Sequence, residues 1–282
     1  MKKILIIGDD SYIGMSFEAF ARDKLEIKMV SSRNGAWREV DFRGFDSVLH
    51  CAGIAHVKQK KKMQSLYYEI NCDLAVDVAQ KAKTDGAKKF VFLSTMAVYN
   101  TSASEINQDT LPNPNQKDFY GSSKFKAEQE IQKLACDNFK LCIIRPPMVY
   151  GEGCKGNFPK LVKLARKTPL FPNYPNKRSM IYIDNLCSFI CGLIEDESDG
   201  IFLPQNGEYV NTTELVRAVR ACYGKRLRTT KIFNPMIRFL SKRVSVFNKL
   251  FGNLSYIQSG NESGYNVIEF KDSIKKSIGD II

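Results

Sequence analysis

The chain has 282 residues, 44% of them hydrophobic and 26% charged, enough to bury the core of one large domain plus a smaller one and too apolar for a chain that stays unfolded. Its opening Met-Lys-Lys leads into an apolar run of only Ile4–Ile7 before Gly8, Asp9 and Asp10, too short for a secretory signal, and no run reaches the roughly 20 residues that span a bilayer; a cytoplasmic protein is expected. The net charge of +12 calls for an anionic partner, but the densest cluster, Lys58–Lys62, lacks the interleaved aromatics of a nucleic-acid module and reads as a solvated loop, so no nucleic-acid partner is expected.

In chain order, five runs are apolar enough to be strands buried on both faces: Lys3–Ile7, Glu26–Val30, Asp46–Cys51, Lys89–Ser94 and Lys140–Arg145. Helical patterns lie between them at Tyr12–Arg22, Gln64–Ala82 and Ser122–Ala135. This alternation predicts an α/β fold, a Rossmann-type doubly wound parallel sheet, with its ligand at the carboxyl ends of the strands. After Tyr150 the pattern changes. Residues 151–159 and 168–178 are rich in Gly, Pro and Asn and read as irregular loops. A strand over 179–184, a helix over 185–194 and helices over 212–223 and 235–250 follow. A larger sheet domain is therefore expected over residues 1–150 and a smaller α/β domain over 151–282, with about 181–200 returning to the first sheet. Eight cysteines fall mostly in apolar segments, no two form a Cys-x-x-Cys pair, and only His50 and His56 are available beside them; reduced thiols and no metal site are expected.

Two short patterns carry chemistry. Gly8 follows the first strand and Gly14 falls on the first helical turn, with Ser11 between them. A glycine permits the tight turn, and one at the helix start lets a diphosphate approach the unpaired N–H groups there. Tyr120 and Lys124 stand four residues apart in a helical pattern, on one face, so the ammonium is expected to lower the phenol's pKa toward neutrality and fit it for proton transfer. Thr95 follows a buried strand, where its hydroxyl either holds the oxygen that Tyr120 protonates or caps the next turn.

Together the strings GDDSYIG, HCAGIAH, YYEIN, STMAVY, YGSSK and RPPMVYG resemble the extended short-chain dehydrogenase/reductase family, the nucleotide-sugar epimerases, dehydratases and 4-reductases. The resemblance implies a nicotinamide-binding fold in which the first domain binds a dinucleotide and the second a nucleotide-sugar substrate, with Thr95, Tyr120 and Lys124 as the catalytic trio. It places Gly8, Ser11, Tyr12, Ile13, Gly14, Ala52, Gly53, Asn71, Ser94 and Pro147 at the cofactor, with Tyr120 and Lys124 also touching it. Asp41 and Phe42 would lie at the adenine. Thr95, Met96 and Met148 would meet the sugar, and Asn157 and Arg178 the nucleotide diphosphate of a UDP-sugar.

Met96 and Ala97 stand where the family's 4,6-dehydratases carry Asp-Glu, and neither transfers protons, so dehydration is not expected. The strings around Met148, Arg178 and Ser245–Tyr256 look most like capsular-polysaccharide 4-keto-sugar reductases of the UDP-N-acetylfucosamine type. Reduction of a UDP-linked 4-keto-6-deoxy-N-acetylhexosamine is the expected reaction, with 4-epimerisation around bound NAD as the alternative and a non-catalytic nucleotide-sensing protein as a third reading. The second strand ends in Ser31, Ser32 and Arg33, without the acid that would hold a ribose diol, so NADP(H) is expected over NAD(H). Asp9 and Asp10 are expected to face away from the diphosphate; either one facing a 2′-phosphate pocket would remove the NADP(H) preference. The basic, apolar stretch from Pro235 to Leu254 is expected to pack on the substrate domain, a membrane surface being the less favoured partner. A homodimer is a family habit.

Overall fold

The computed structural model describes residues 1–55, 59–99, 105–241, 243–260 and 262–279, without the side chain of Ser245. Of the residues singled out above, His56, Lys58 and Lys242 lie outside these. The chain forms β1 (Lys3–Ile7), α1 (Tyr12–Ala21), β2 (Glu26–Val30), β3 (Ser47–His50), α2 (Gln64–Tyr68), α3 (Leu74–Thr84), β4 (Lys89–Leu93), β5 (Glu105–Ile106), α4 (Phe119–Gln132) and β6 (Lys140–Ile144). It continues through β7 (Met148–Tyr150), α5 (Asn157–Lys167), β8 (Leu170–Pro172), β9 (Met180–Tyr182), α6 (Ile183–Glu195) and β10 (Gly200–Phe202). The remainder is α7 (Thr212–Cys222), β11 (Arg228–Thr230), α8 (Asn234–Ser241), α9 (Ser245–Phe251), β12 (Ser255–Tyr256) and α10 (Phe270–Ile278).

Two compact units divide the chain. The first holds residues 1–100, 108–147 and 186–204, built on a six-stranded sheet in the order β10-β6-β4-β3-β1-β2. All its pairings are parallel. Such a sheet is covered on both faces, and Ile4 to Ile7, Val48, Leu49 and Phe90 to Phe92 are accordingly buried. Parallel strands put their carboxyl ends on one edge, and the strand order reverses between β1 and β3, where ligands of doubly wound sheets bind. The expected α/β, Rossmann-type sheet is the one observed.

The second unit holds residues 101–107, 148–185 and 205–282. Its strands form three parallel pairs, β7 with β9, β8 with β11 and β5 with β12. Helices α5 and α7 are tied by the Arg220 guanidinium, which donates to the Ala165 carbonyl at 2.9 Å. Tyr150 anchors α10: its hydroxyl lies 2.6 Å from Ser273 Oγ and accepts from Asn206 Nδ2 at 2.9 Å.

Several elements differ from expectation, among them β8 at Leu170–Pro172 inside the stretch read as an irregular loop and α6, which begins at Ile183 inside the expected strand over 179–184. The Gln64–Ala82 helix is interrupted by a π-helical turn at Glu69–Asp73. The fourth helix begins at Phe119 rather than Ser122 and ends at Gln132. Residues 157–159 open α5 instead of continuing a loop, because Pro159 sits in the first helical turn, where a missing N–H costs nothing. The long helix over 235–250 is two helices, broken at Val244, whose backbone is extended at φ −118° and ψ 112°.

Candidate active site

The first unit gathers its chemistry at the carboxyl ends of β1, β3, β4 and β6. Gly8 leaves β1 at φ 113°, and a Cβ there would stand 2.8 Å from the Ala52 nitrogen, so only glycine lets the β1 turn lie against the chain leaving β3. At Gly14 a Cβ would approach the Gly8 carbonyl to 3.0 Å. Ser11 caps α1 by accepting the Gly14 N–H at 3.4 Å and keeps its own proton for donation. Tyr12 and Ile13 are half-buried beside it, and the first turn carries no acidic side chain. This donor set fits the diphosphate of a dinucleotide.

Thr95 ends the β4 edge. Its hydroxyl accepts the Ala97 N–H at 3.1 Å, capping a short 3-10 turn over Met96–Val98, and it stands near enough to the Tyr120 hydroxyl to act on its pKa. The cap and the contact to tyrosine, alternatives in the sequence, coexist. Tyr120 stands on the first turn of α4, and Gly121 brings that turn in: a Cβ there would lie 2.4 Å from the Ala97 carbonyl.

Lys124 is buried one turn further on. Its ammonium donates to the Leu93 carbonyl at 2.9 Å and the Ala52 carbonyl at 3.5 Å and lies 4.6 Å from the centre of the Phe92 ring. Burial lowers its pKa to about 8, with Cys51 and Glu128 opposing the shift. The expected depression of the Tyr120 pKa is not what the geometry produces. Burial pushes the phenol up, the nearby Thr95 hydroxyl opposes this, and Asp118 and Tyr67 add to it; Lys124 is not among the groups acting on it. The ammonium is turned toward backbone carbonyls, and the phenol is held protonated at neutral pH.

Asn71 is buried in the π-helical turn. Its amide donates to the Ile54 carbonyl at 3.2 Å and Ser123 Oγ at 3.1 Å and accepts the Ile54 N–H at 2.7 Å. It therefore holds the chain after β3 against α4. Gly53 lies inside this arrangement, since a Cβ there would come within 2.9 Å of Asn71 Oδ1 and 3.3 Å of Lys124 Nζ. Pro147 is buried at the β6 edge, and the Met96 N–H donates to the Pro146 carbonyl at 2.9 Å.

Other expected contacts are engaged elsewhere. The Phe42 ring belongs to the hydrophobic core, so its side chain is no adenine contact. Asp41 is exposed and clasped by Arg43, which lowers its carboxyl pKa to about 2. Ser94 donates its hydroxyl to the buried Glu128 carboxylate, and Met96 is 6% exposed. Ser31 and Ser32 are half-buried after β2, where Arg33 is ion-paired with Asp10. Asp10 thus stands beside the cation on which the NADP(H) expectation partly rested, while no acid follows β2 at Ser31 and Ser32.

In the second unit Met148 opens β7 and Asn157 is the exposed first residue of α5. The Arg178 guanidinium donates to the Gly252 carbonyl at 3.0 Å. Burial lowers its pKa, though it stays charged.

Sequence reading missed a buried network behind Lys124. Glu128 and Arg145 are 1% and 3% exposed and pair bidentately at 2.6 to 3.2 Å; Arg145 also donates to the Tyr99 hydroxyl at 2.5 Å. The available signals were an acid four residues after Lys124, on the same helix face, and an arginine closing an apolar strand.

The family model described as NAD dependent epimerase/dehydratase family matches residues 20–202. The chain belongs to the NAD dependent epimerase/dehydratase family. Among relatives of this family member, a UDP-glucose 4-epimerase of Vibrio cholerae is 34% identical over 224 residues, 76% of this chain and 66% of that protein. The N-acetyl-alpha-D-glucosaminyl-diphospho-ditrans,octacis-undecaprenol 4-epimerase of Escherichia coli O157:H7 is 25% identical over 223 residues, 77% of this chain and 66% of its own. The chain thus spans just under two thirds of the length of these relatives. A dTDP-4-dehydrorhamnose reductase from Bacillus anthracis, solved with NADP, superposes with a TM-score of 0.74 at 17% identity over 99% of both chains, a likeness of fold.

Proposed function

We propose that this family member reduces the 4-keto group of a UDP-linked 6-deoxy-N-acetylhexosamine. The observation that carries the reading is the placement of Tyr120 and the buried Lys124 one turn apart on α4, with the Thr95 hydroxyl near enough to the phenol to act on its pKa. The Gly8–Gly14 turn would hold the cofactor diphosphate, and Lys124 and Pro147 would line the nicotinamide end. Bound NAD(P)H supplies the hydride. Tyr120, held protonated, donates its proton to the oxygen that becomes negative at carbon 4. Thr95 steadies that same oxygen with its hydroxyl. Asn71 and Gly53 keep the β3 edge and Lys124 in register. Arg178 and Asn157 are assigned to the nucleotide diphosphate, for which guanidinium is the suited donor. The cellular setting assigned to this reaction is capsule precursor synthesis in the cytoplasm.

The test is to incubate the purified protein with UDP-4-keto-6-deoxy-N-acetylglucosamine and NADH or NADPH and follow loss of nicotinamide absorbance. Turnover is expected, and Tyr120→Phe should reduce it by about 10²- to 10⁴-fold while leaving cofactor affinity nearly unchanged. Undiminished turnover in Tyr120→Phe would sink the assignment.

A second reading, 4-epimerisation of a UDP-sugar, is favoured by the 34% identity to the Vibrio cholerae protein. Interconversion of UDP-N-acetylglucosamine and UDP-N-acetylgalactosamine, with no oxidation of either added reduced cofactor, would decide for it.

A further inference from the structure

From Lys225 to Asn261 the second unit carries eight Lys and Arg residues and no Asp or Glu. Helices α8 and α9 lie in the middle of this stretch and bury little of their apolar surface. Ile237 is 1% and Phe251 6% exposed, and Phe251 packs on the rings of Phe171 and Tyr174 at 5.7 and 5.6 Å. Leu240, Phe247 and Leu250 are half-buried, but Met236 is 50%, Phe239 54% and Val246 62% exposed, and Ile232, just before α8, is 82% exposed. Exposed cations stand among them, and the Arg243 guanidinium lies 4.1 Å from the Phe239 ring centre. The same unit has a groove lined by Lys163, Arg166, Lys167 and Lys225.

We infer that α8 and α9 form a docking surface for an anionic lipid bilayer, with the Ile232, Met236 and Phe239 side chains in the headgroup boundary and the cations against lipid phosphates. Charge chooses the occupant. A second copy of the chain seated symmetrically would set these cations against each other with no acid to answer them. A nucleic acid would satisfy the charge but leave the isoleucine and methionine in water. An anionic membrane surface accommodates both, the arrangement of helices that lie in the interface plane. No helix among the described residues is long and apolar enough to cross a membrane. The inference stands independently of the reaction assigned above.

Co-sedimentation of the full chain with vesicles of equal parts phosphatidylcholine and phosphatidylglycerol, against vesicles of phosphatidylcholine alone, tests it. Binding to the mixed vesicles is expected to be at least about tenfold tighter and to weaken as salt rises. Ile232→Ser combined with Phe239→Ser should lose about tenfold in vesicle affinity while keeping its circular dichroism and its turnover of soluble substrate. Should that pair misfold, the exposed single change Arg238→Glu is expected to weaken binding to the mixed vesicles several-fold. Absence of binding by the unchanged protein, equal binding to both vesicle types, or vesicle affinity unmoved in the folded variants would overturn the inference. So would sedimentation velocity showing that the same substitutions convert a dimer to a monomer without any vesicle binding.

Discussion

His50 and Glu128 are both buried and titratable, yet they affect stability in different ways. His50, at the end of β3, is wholly buried between Phe90 and Phe92, and neither ring nitrogen has a hydrogen-bond partner among the described residues. Burial, helped by the Lys124 charge, lowers its pKa to about 3. The unfolded histidine takes up a proton near pH 6.5 while the folded one stays neutral to about pH 3. Stability is therefore lost as pH falls through this window, at about 1.4 kcal/mol per pH unit at most from this one group. Urea denaturation of His50→Val should show a shallower loss across the same window; an unchanged slope would mean that other groups govern acid unfolding. Glu128 is instead fully paired. Glu128→Gln leaves Arg145 charged and uncompensated in the interior, which is expected to cost about 3–5 kcal/mol in the same experiment. Because the Glu128 charge supports protonation of Lys124, the alkaline limb of the pH–rate profile should also move to lower pH. A change in stability with no move in that limb would make the pair purely structural. Neither residue stood out in the sequence, because an isolated histidine or glutamate carries no mark of what will surround it.

Among the elements, the contact of α4 with the 3-10 turn at Met96–Val98 sets the site. Gly121 permits it, and Gly121→Ala would have to push α4 away from the Ala97 carbonyl. The expected stability cost is about 1–3 kcal/mol, as for an overpacked core. Turnover should fall by about 100-fold, the consequence of misplacing Tyr120 against Thr95 by around 1 Å. Comparing the urea midpoint with turnover on the 4-keto sugar checks this, and full activity at reduced stability would show that the contact does not position Tyr120. Strands were legible because an apolar run between helical patterns has few other ways to fold: β1 and β2 occupy the expected residues, and β3, β4 and β6 differ only at their ends; β2, expected to be buried on both faces, is instead the edge strand and exposes Glu26 and Lys28. Helix limits were less so. The π-helical turn around Asn71 inserts no break residue that a pattern reveals, and the split between α8 and α9 falls in a stretch whose apolar spacing alone reads as continuous.

Over the whole molecule, charge is the property most exposed to solution conditions. Nearly all ion pairs among the described residues are solvent-exposed at one side chain or both, Glu128–Arg145 being buried at 1% and 3%. Exposed pairs contribute about 0–1 kcal/mol each, whereas a net charge of +12 opposes the compact state throughout. Adding sodium chloride from low to physiological ionic strength is therefore expected to raise the melting temperature by about 2–4 °C, the shift that about 1 kcal/mol makes in a chain of this size. A fall on adding salt would mean that the ion pairs outweigh the repulsion. The sequence alone determined the parallel sheet, through continuous apolar runs alternating with helices, and family membership, through motifs whose order survives divergence. It also carried the residue types that proton transfer needs. Tertiary structure decided the rest, because charge and burial are set by neighbours distant in sequence. Asp10 meets Arg33 across the β1 and β2 edge, a pairing that residues so far apart in sequence do not announce. The Lys124 ammonium turns to the Leu93 and Ala52 carbonyls and leaves the Tyr120 phenol protonated. Within the loop that opens the chain, Ser11 caps α1 while both aspartates remain at the surface, an outcome that glycine spacing by itself does not specify.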